Sequence, residues 1–379
     1  MAEAPILGLC PPRFAAVRQA FAANFAEGLE LGARFALALE GEIVVDLIGG
    51  WADRAQTRPF AADTLTSVFS TTKAIAAFMI ARLVDQVKLS YGQRVADIWP
   101  AFGEAGKSFV TVEQVMAHQA GLPGFAEPMA PSDWFDWDLI CGRLAAMAPM
   151  WKPGDACGYH PVTFGYLAGE IFRRIDGRSM GRALREDIAE PLGLDLWIGL
   201  PGTEHDRCAD VRRPPALPNL GEINAFKRVA FLTPWASPGG RSLADWRRAE
   251  IPSVTGHATA PALARLMAAL ANGGQLDGVP LLKPETIEAA TALRGGGQDL
   301  VLPYDLAWGA GFLRNQGLGA YGPGQETIGH SGWGGSCAFA DPERGVSGAY
   351  VMNRQSAELI SDARARRLIE AAYTALRVG

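Results

Sequence analysis

The sequence predicts an α+β fold in which N- and C-terminal helices flank one antiparallel β-sheet, with a mainly helical domain inserted into it. A helix and a strand pair open the chain, helical periodicity fills its middle, and further strands followed by a helix close it. Antiparallel strands from both ends can then share one sheet. We therefore expect a discontinuous sheet domain over residues 1–65 and 177–379, an inserted helical domain over residues 66–176, and an active site between them.

The first fifty residues predict a helix and a hairpin. In residues 11–28, Val17, Phe21 and Phe25 recur at spacings of three and four, which is the pattern of an amphipathic helix. Two apolar, β-rich runs follow, separated by Glu40-Gly41. These runs are residues 33–39 and 42–48.

The middle of the chain has helical patterning. Ile75, Phe78 and Met79 share one face of a helix that we expect over residues 70–87. A capping box at Thr111 predicts the start of another helix. Further helices are expected over residues 131–147 and 161–175.

The second half returns to β patterning after a helix over residues 259–272, which ends at Asn272-Gly273-Gly274. A closing helix is expected over residues 357–376, with one apolar face. The strands expected between these helices are residues 306–314, 326–330, 336–341 and 347–353.

Composition and charge limit the class of protein. With 49% hydrophobic and 20% charged residues, the chain has the balance of a globular protein and not of a disordered or coiled-coil one. Its formal net charge of -5 and lack of basic runs argue against nucleic acid as a partner. There is no apolar window of membrane-spanning length and no signal peptide at the N-terminus, so we expect a cytoplasmic protein.

The five cysteines suggest neither disulfides nor a metal site. They are far apart, odd in number and include no C-x-x-C pair. The sequence also lacks a zinc-protease motif and a nucleotide-binding glycine loop. We expect no metal and no cofactor.

Ser70 and Lys73 form an S-x-x-K motif at the start of the strong helix. The first turn of a helix offers free backbone N–H groups and the positive end of the dipole, which favour an oxyanion there. Lys73 lies on the same helix face and can reach the serine hydroxyl, which needs a neighbouring base to become a nucleophile. The alternative is that Ser70 is a simple helix cap and Lys73 a solvated side chain.

Two later segments could carry chemistry as well. Tyr159 lies in a loop that leads into a helix, where it could act as a general acid or base, or could be a packing anchor. Residues 329–335 end a strand and are rich in glycine. Such a segment can offer an exposed backbone N–H to an oxyanion, although a β-bulge at a sheet edge is an equally simple interpretation.

Together these three segments resemble the motifs of the serine β-lactamase and penicillin-binding superfamily, which carries S-x-x-K, a Tyr- or Ser-containing loop and K-T-G. The chain is most similar to the family VIII carboxylesterases, relatives of class C β-lactamases in which the third motif begins with His or Trp. The likeness covers roughly residues 15–375 and includes His118-Gln119-Ala120-Gly121 and Tyr159-His160.

The resemblance implies roles for these residues. Ser70 would be the nucleophile, Lys73 its base or electrostatic activator, and Tyr159 the residue that relays the proton. The backbone N–H groups of Ser70 and Trp333 would form the oxyanion hole. His330 stands where lactamases carry the lysine of K-T-G.

Two departures favour an esterase over a lactamase. His160 and Pro161 replace the continuation of the lactamase Y-x-N motif, and His330 weakens the cation that would meet a β-lactam carboxylate. The candidate substrate-binding residues are His330, Gly332, Trp333, Phe125 and Trp134, although core packing is the more common role for the last two.

The sequence therefore predicts a serine carboxylesterase that hydrolyses short- to medium-chain esters through an acyl-enzyme, with a small-molecule ester as its partner. A β-lactamase or D-amino-acid peptidase would use the same acylation machinery. A catalytically silent binding protein on the same fold is an alternative of another class, and an acyltransferase is a further one. The oligomeric state is left open.

Overall fold

The computed structural model describes residues 5–214, 216–237 and 239–377. The strands are β1 (Ile6–Leu9), β2 (Gly32–Leu39), β3 (Glu42–Gly50), β4 (Thr66–Ser67), β5 (Leu196–Ile198), β6 (Gly256–Ala258), β7 (Gln275–Leu276), β8 (Val279–Pro280), β9 (Gly295–Gln298), β10 (Asp305–Trp308), β11 (Leu313–Arg314), β12 (Ile328–Ser331), β13 (Cys337–Asp341) and β14 (Val346–Met352). The helices are α1 (Ala15–Ala26), α2 (Thr72–Asp85), α3 (Val95–Ile98), α4 (Val112–Met116), α5 (Trp137–Ala146), α6 (Thr163–Asp176), α7 (Met180–Leu184), α8 (Ala225–Lys227), α9 (Leu243–Arg248), α10 (Ala260–Ala271), α11 (Pro284–Thr291) and α12 (Ala363–Arg377).

Nine strands form one antiparallel sheet in the order β1-β3-β2-β14-β13-β12-β11-β10-β9. The ends of the chain meet at its centre, where β2 pairs with β14 in a register that runs from Ala33 opposite Met352 to Leu39 opposite Val346. A separate small sheet pairs β4, β6 and β5. The α+β class and the sheet shared by both ends are confirmed.

Both faces of the sheet are covered, as the alternation of side chains along β2 shows. Phe35 and Leu37 belong to the core under α1 and α12, whereas Ala36 and Ala38 belong to the core that contains α10. Successive residues of a strand point to opposite faces, so this one strand supplies large side chains to one layer and methyl groups to the other. The small residues let α10 lie close to the sheet.

The core that contains α10 also contains α2, and it joins the large sheet to the helical segment. Helix α2 is buried along most of its length and packs against α6 and α11. Helix α2 and the 3-10 turn before it, Phe69–Thr71, contact β12 of the large sheet, and this turn also contacts β6 of the small one. The start of α2 and the end of β12 therefore meet in the interior.

Three elements differ clearly from those expected. The helix expected over residues 131–147 is a 3-10 segment, Pro131–Phe135, followed by α5, because Asp136 between them is extended and caps α5. A single strand over residues 306–314 is wrong: the chain turns between β10 and β11, where the N–H of Gly309 donates to Phe312 O at 2.9 Å. Gly311 in this turn has φ +87°, and a Cβ there would lie 2.8 Å from Met116 Cε. The last helix begins at Ala363, not at residue 357, because the Asp362 carboxylate accepts the N–H of Arg364 at the helix start.

The expected division at residues 66 and 176 stays a prediction. The described part of residues 177–258 adds its strands β5 and β6 to the small sheet, beside β4 from the helical segment. Across the described ranges, no helix combines the length and apolar character needed to cross a membrane.

Candidate active site

Ser70 lies in a single 3-10 turn, Phe69–Thr71, that leads directly into α2. The residue before it, Phe69, has φ +46°, a left-handed conformation that is uncommon for a bulky side chain and is typical of functional turns. Phe69 and Thr71 are buried, while Ser70 is partly exposed to the cavity described below. The turn thus presents the serine hydroxyl at the N-terminal end of a 14-residue helix.

Lys73 is completely buried, and its amine touches the candidate nucleophile. Nζ lies 3.1 Å from Ser70 Oγ, 2.7 Å from Pro161 O and 3.1 Å from Ser253 O. Burial holds the pKa of Lys73 well below its ordinary value of 10.5. A neutral amine can donate two N–H groups to the two carbonyls and keep its lone pair for the hydroxyl proton of Ser70.

Tyr159 completes this group inside an aromatic shell. Lys73 Nζ lies 4.7 Å from the centroid of its ring, and the ring of His118 lies 4.9 Å away on another side. Burial raises the pKa of the Tyr159 hydroxyl, and the nearby Ser70 side chain partly opposes that rise. The three residues singled out from the sequence are therefore brought together in space.

No motif in the sequence indicates Asp299, which fixes the backbone of Tyr159. One carboxylate oxygen, Oδ1, accepts the backbone N–H groups of Tyr159, Val301 and Leu302 at 3.0, 2.9 and 2.8 Å. Burial raises the pKa of Asp299 to about 6, although these three bonds from backbone N–H groups oppose the rise. An aspartate whose side chain accepts the N–H of the residue two positions later, as Asp299 does with Val301, is typical of a turn. No neighbouring residue in the sequence indicates the contact with Tyr159.

His330 lies on β12 beside this group and carries no charge at neutral pH. Burial lowers its pKa to about 3, and Lys73 adds to that effect. Nδ1 lies 2.8 Å from Ser331 O and donates to it, which leaves Nε2 as an acceptor. Nε2 is buried and has no hydrogen-bond partner among the described residues.

Ser336 ties the end of β12 to the serine turn. Its hydroxyl donates to Val68 O at 2.8 Å and lies 3.0 Å from Thr71 Oγ1. The N–H of Gly332 donates to Ser336 O at 2.7 Å, and a Cβ on Gly332 would lie 2.2 Å from Val68 O. A side chain at position 332 would thus push the third motif away from Ser70.

The two N–H groups expected to form an oxyanion hole are free. Neither the Ser70 nor the Trp333 backbone N–H donates to another residue in the part of the chain that the structure describes. Ser70 and Trp333 both line the cavity described below, and the rings of Phe69 and Trp333 are 5.8 Å apart. Both donors are available to a reacting carbonyl oxygen.

The cavity above Ser70 has a volume of about 440 Å³ and is lined mostly by apolar side chains. Trp134, His330 and Trp333 line it as expected, and no Asp, Glu, Lys or Arg is among its described lining residues. Phe125 does not line it; its ring packs edge-on against Trp235, 4.7 Å away. Gly332 does not line the cavity either; its lack of a side chain lets the third motif lie close to Val68.

His118 and His160 hold the loops around Tyr159. Leu122 donates its N–H to His160 Nε2 at 2.9 Å, and His160 donates its own N–H to His118 Nδ1 at 3.1 Å. Burial lowers the pKa of both rings, that of His160 to about 3. Hydrogen bonding to backbone groups gives each of them a structural role.

Comparison with known proteins identifies the fold family. Residues 19–372 match the Beta-lactamase family.

The chain belongs to the beta-lactamase family.

Proteins of similar sequence or structure include esterases. Esterase/beta-lactamase LipL of Mycobacterium tuberculosis is 37% identical over 370 residues, covering 94% of this chain and 84% of LipL. A structure described as a penicillin-binding protein homologue from Caulobacter crescentus is 66% identical, with a TM-score of 0.96 and coverage of 98% of this chain and 100% of that one. A family VIII carboxylesterase is 41% identical, with a TM-score of 0.92 and coverage of 98% and 100%.

These matches confirm the resemblance to the beta-lactamase family and to family VIII carboxylesterases. They also support hydrolase as the enzyme class.

Proposed function

We propose that this protein is a serine carboxylesterase that hydrolyses short- to medium-chain esters through an acyl-enzyme on Ser70. The uncharged, apolar lining of the cavity carries this proposal. A neutral ester can bury there without a counter-ion, whereas a β-lactam carboxylate would lose its hydration opposite a neutral His330. The volume of about 440 Å³ suits a small ligand.

In the acylation step, Ser70 Oγ attacks the ester carbonyl carbon while neutral Lys73 accepts the hydroxyl proton. The backbone N–H groups of Ser70 and Trp333 stabilise the negative oxygen of the tetrahedral intermediate. Tyr159, which burial keeps protonated, gives its proton to the departing alkoxide and regains one from the Lys73 ammonium. The alcohol leaves and the acyl group stays on Ser70.

Deacylation runs through the same groups in reverse. A water molecule attacks the acyl carbon, and its proton passes to the Tyr159–Lys73 pair. The oxyanion is again held by the two N–H groups, and Ser70 recovers its proton when the carboxylic acid departs. No cofactor takes part in this proposal.

The test compares hydrolysis of p-nitrophenyl butyrate and nitrocefin by the wild type, Ser70→Ala and Ser237→Ala. Ser237 lines the same cavity but is exposed and distant in sequence from the motifs, so it serves as the matched serine control. Ester turnover should vanish in Ser70→Ala and persist in Ser237→Ala. Activity of Ser70→Ala within about tenfold of the wild type would contradict the assignment. A fluorophosphonate probe should add its mass to Ser70 in the wild type.

β-Lactam hydrolysis is the second candidate, because LipL combines both activities in its name. The acylation groups would be the same, and the neutral His330 predicts that nitrocefin is the poorer substrate. Nitrocefin turnover that exceeds ester turnover would favour this second candidate.

A further inference from the structure

A second cleft lies on the other side of one wall of the cavity above Ser70. The rings of Phe69, Trp246 and Trp333 line both spaces. The centroid of the Phe69 ring lies 5.7 Å from that of Trp246 and 5.8 Å from that of Trp333, so the shared wall is one layer of aromatic rings. The cleft has a volume of about 380 Å³. Four arginines line it: Arg54, Arg213, Arg241 and Arg247. We call it the arginine cleft.

The positive charge of the arginine cleft is not matched by acidic groups. None of its four arginines forms an ion pair with a described carboxylate. Asp210 is the one acidic residue among the described lining residues, and its Oδ2 accepts the backbone N–H of Arg54 at 3.4 Å. Buried arginines elsewhere are paired, as Arg34 is with Asp46 and Arg364 with Asp362. The cleft thus gathers four cations against one anion.

Arg241 has lost part of its hydration in this cleft. It is half-buried beside the ring of Trp134, 3.7 Å from the centroid, and burial lowers its pKa to about 10. Its terminal N–H groups donate to carbonyls of the adjacent loop, including Trp235 O at 3.0 Å. Its Nε is buried and has no described hydrogen-bond partner. An anion in the cleft would offset the lost hydration of this guanidinium.

We propose that the arginine cleft binds an anionic group, a carboxylate or a phosphate. One layer of aromatic rings separates this cleft from the cavity that contains the serine nucleophile. Guanidinium groups recognise carboxylates and phosphates through paired N–H bonds. The polar groups that share the cleft, Ser67, His257 and Gln355, offer further contacts. His257 is neutral, because burial lowers its pKa to about 4, so it adds no charge of its own.

The anionic group can come from two sources. It can be the far end of the substrate, in which case the ester group lies in the cavity above Ser70 and a carboxylate at the end of its acyl chain lies in the arginine cleft. This source rests on the proposed esterase function. It can also be a free anion such as inorganic phosphate, and this source is independent of the reaction.

The first experiment uses two esters of equal length, mono-p-nitrophenyl suberate and its methyl ester, which differ in the terminal charge. The ratio of their kcat/KM values, charged over neutral, is measured for the wild type and for Arg213→Gln/Arg247→Gln. The control Arg143→Gln/Arg366→Gln removes the same number of charges at exposed positions away from the cleft. For a substrate-borne anion, the ratio should fall about tenfold or more in the cleft variant and stay unchanged in the control. The wild-type ratio should also fall in 0.5 M NaCl, because salt screens the attraction.

The second experiment titrates the wild type and both double variants with inorganic phosphate by isothermal titration calorimetry. Phosphate binding to the wild type and the control, but not to the cleft variant, supports the arginine cleft as an anion-binding site. If the ester ratio does not change at the same time, the ligand of the cleft is a free anion and not part of the substrate. An unchanged ratio together with equal or absent phosphate binding in all three proteins overturns the proposal. Failure of the wild type to hydrolyse the neutral methyl ester would instead refute the esterase function, and the phosphate titration would still test the cleft.

Discussion

Asp299 offers a quantitative test of how the site is built. Its carboxylate is buried, and Oδ1 accepts three backbone N–H groups, one of them from Tyr159. Asp299→Asn keeps an oxygen at that position but removes the titrating group. The fold should therefore persist while the pH dependence of stability changes.

The magnitude follows from the shift of the pKa, from the ordinary 3.8 to about 6 in the folded protein. Because the folded state binds the proton more tightly, protonation of Asp299 stabilises it below the folded pKa, and this contribution is lost as the pH rises through about 6. Between pH 5 and pH 8, linkage gives a change of about 1.4 kcal/mol. The neighbouring groups Tyr159 and Cys157 stay protonated over this range, since burial raises the pKa of both, that of Cys157 to about 11.

Urea titrations at pH 5 and pH 8 give the free energy of unfolding of the wild type, Asp299→Asn and the control Asp305→Asn, which alters an exposed aspartate on β10. The stability of the wild type relative to Asp299→Asn should be higher at pH 5 than at pH 8 by about 1.4 kcal/mol. The stability of the wild type relative to Asp305→Asn should be the same at pH 5 and at pH 8. A difference from Asp299→Asn that stays constant within about 0.3 kcal/mol across the two pH values would refute the buried, proton-binding carboxylate.

Two further predictions concern the catalytic geometry. Lys73→Arg should reduce kcat/KM for p-nitrophenyl butyrate by about 10³, because a guanidinium does not release its proton to act as a base. In the wild type, the lowered pKa of Lys73 means that kcat/KM falls as the pH drops through that value, and a profile that rises only near pH 10 would contradict a neutral Lys73. Gly332→Ala should reduce kcat/KM by about 10², since its Cβ would lie 2.2 Å from Val68 O and displace the third motif. Gly142→Ala on α5, where a Cβ meets nothing within 4 Å, should leave kcat/KM unchanged, and equal losses in the two variants would exclude the steric explanation.

Local patterns in the sequence predicted many elements because their causes are local. The capping box at Thr111 forms as expected, with the Gln114 N–H donating to its side chain and the Gln114 side chain accepting the Thr111 N–H. The helix containing Lys73 and the hairpin of β2 and β3 also lie where apolar spacing placed them. The edge strand β9 was missed, since its sequence Gly-Gly-Gly-Gln has no β propensity and pairs only because β10 lies beside it.

The sequence by itself determined the motif residues Ser70, Lys73 and Tyr159 and many of the helices and strands, because spacing and residue type are readable over short stretches. The tertiary structure decided which distant groups meet. Asp299 reaches Tyr159 across 140 positions, and the arginine cleft assembles side chains from positions 54 to 247. No periodicity encodes such contacts: they depend on how the sheet, the small strands and the loops close around one interior, where burial then sets the charge state of each group.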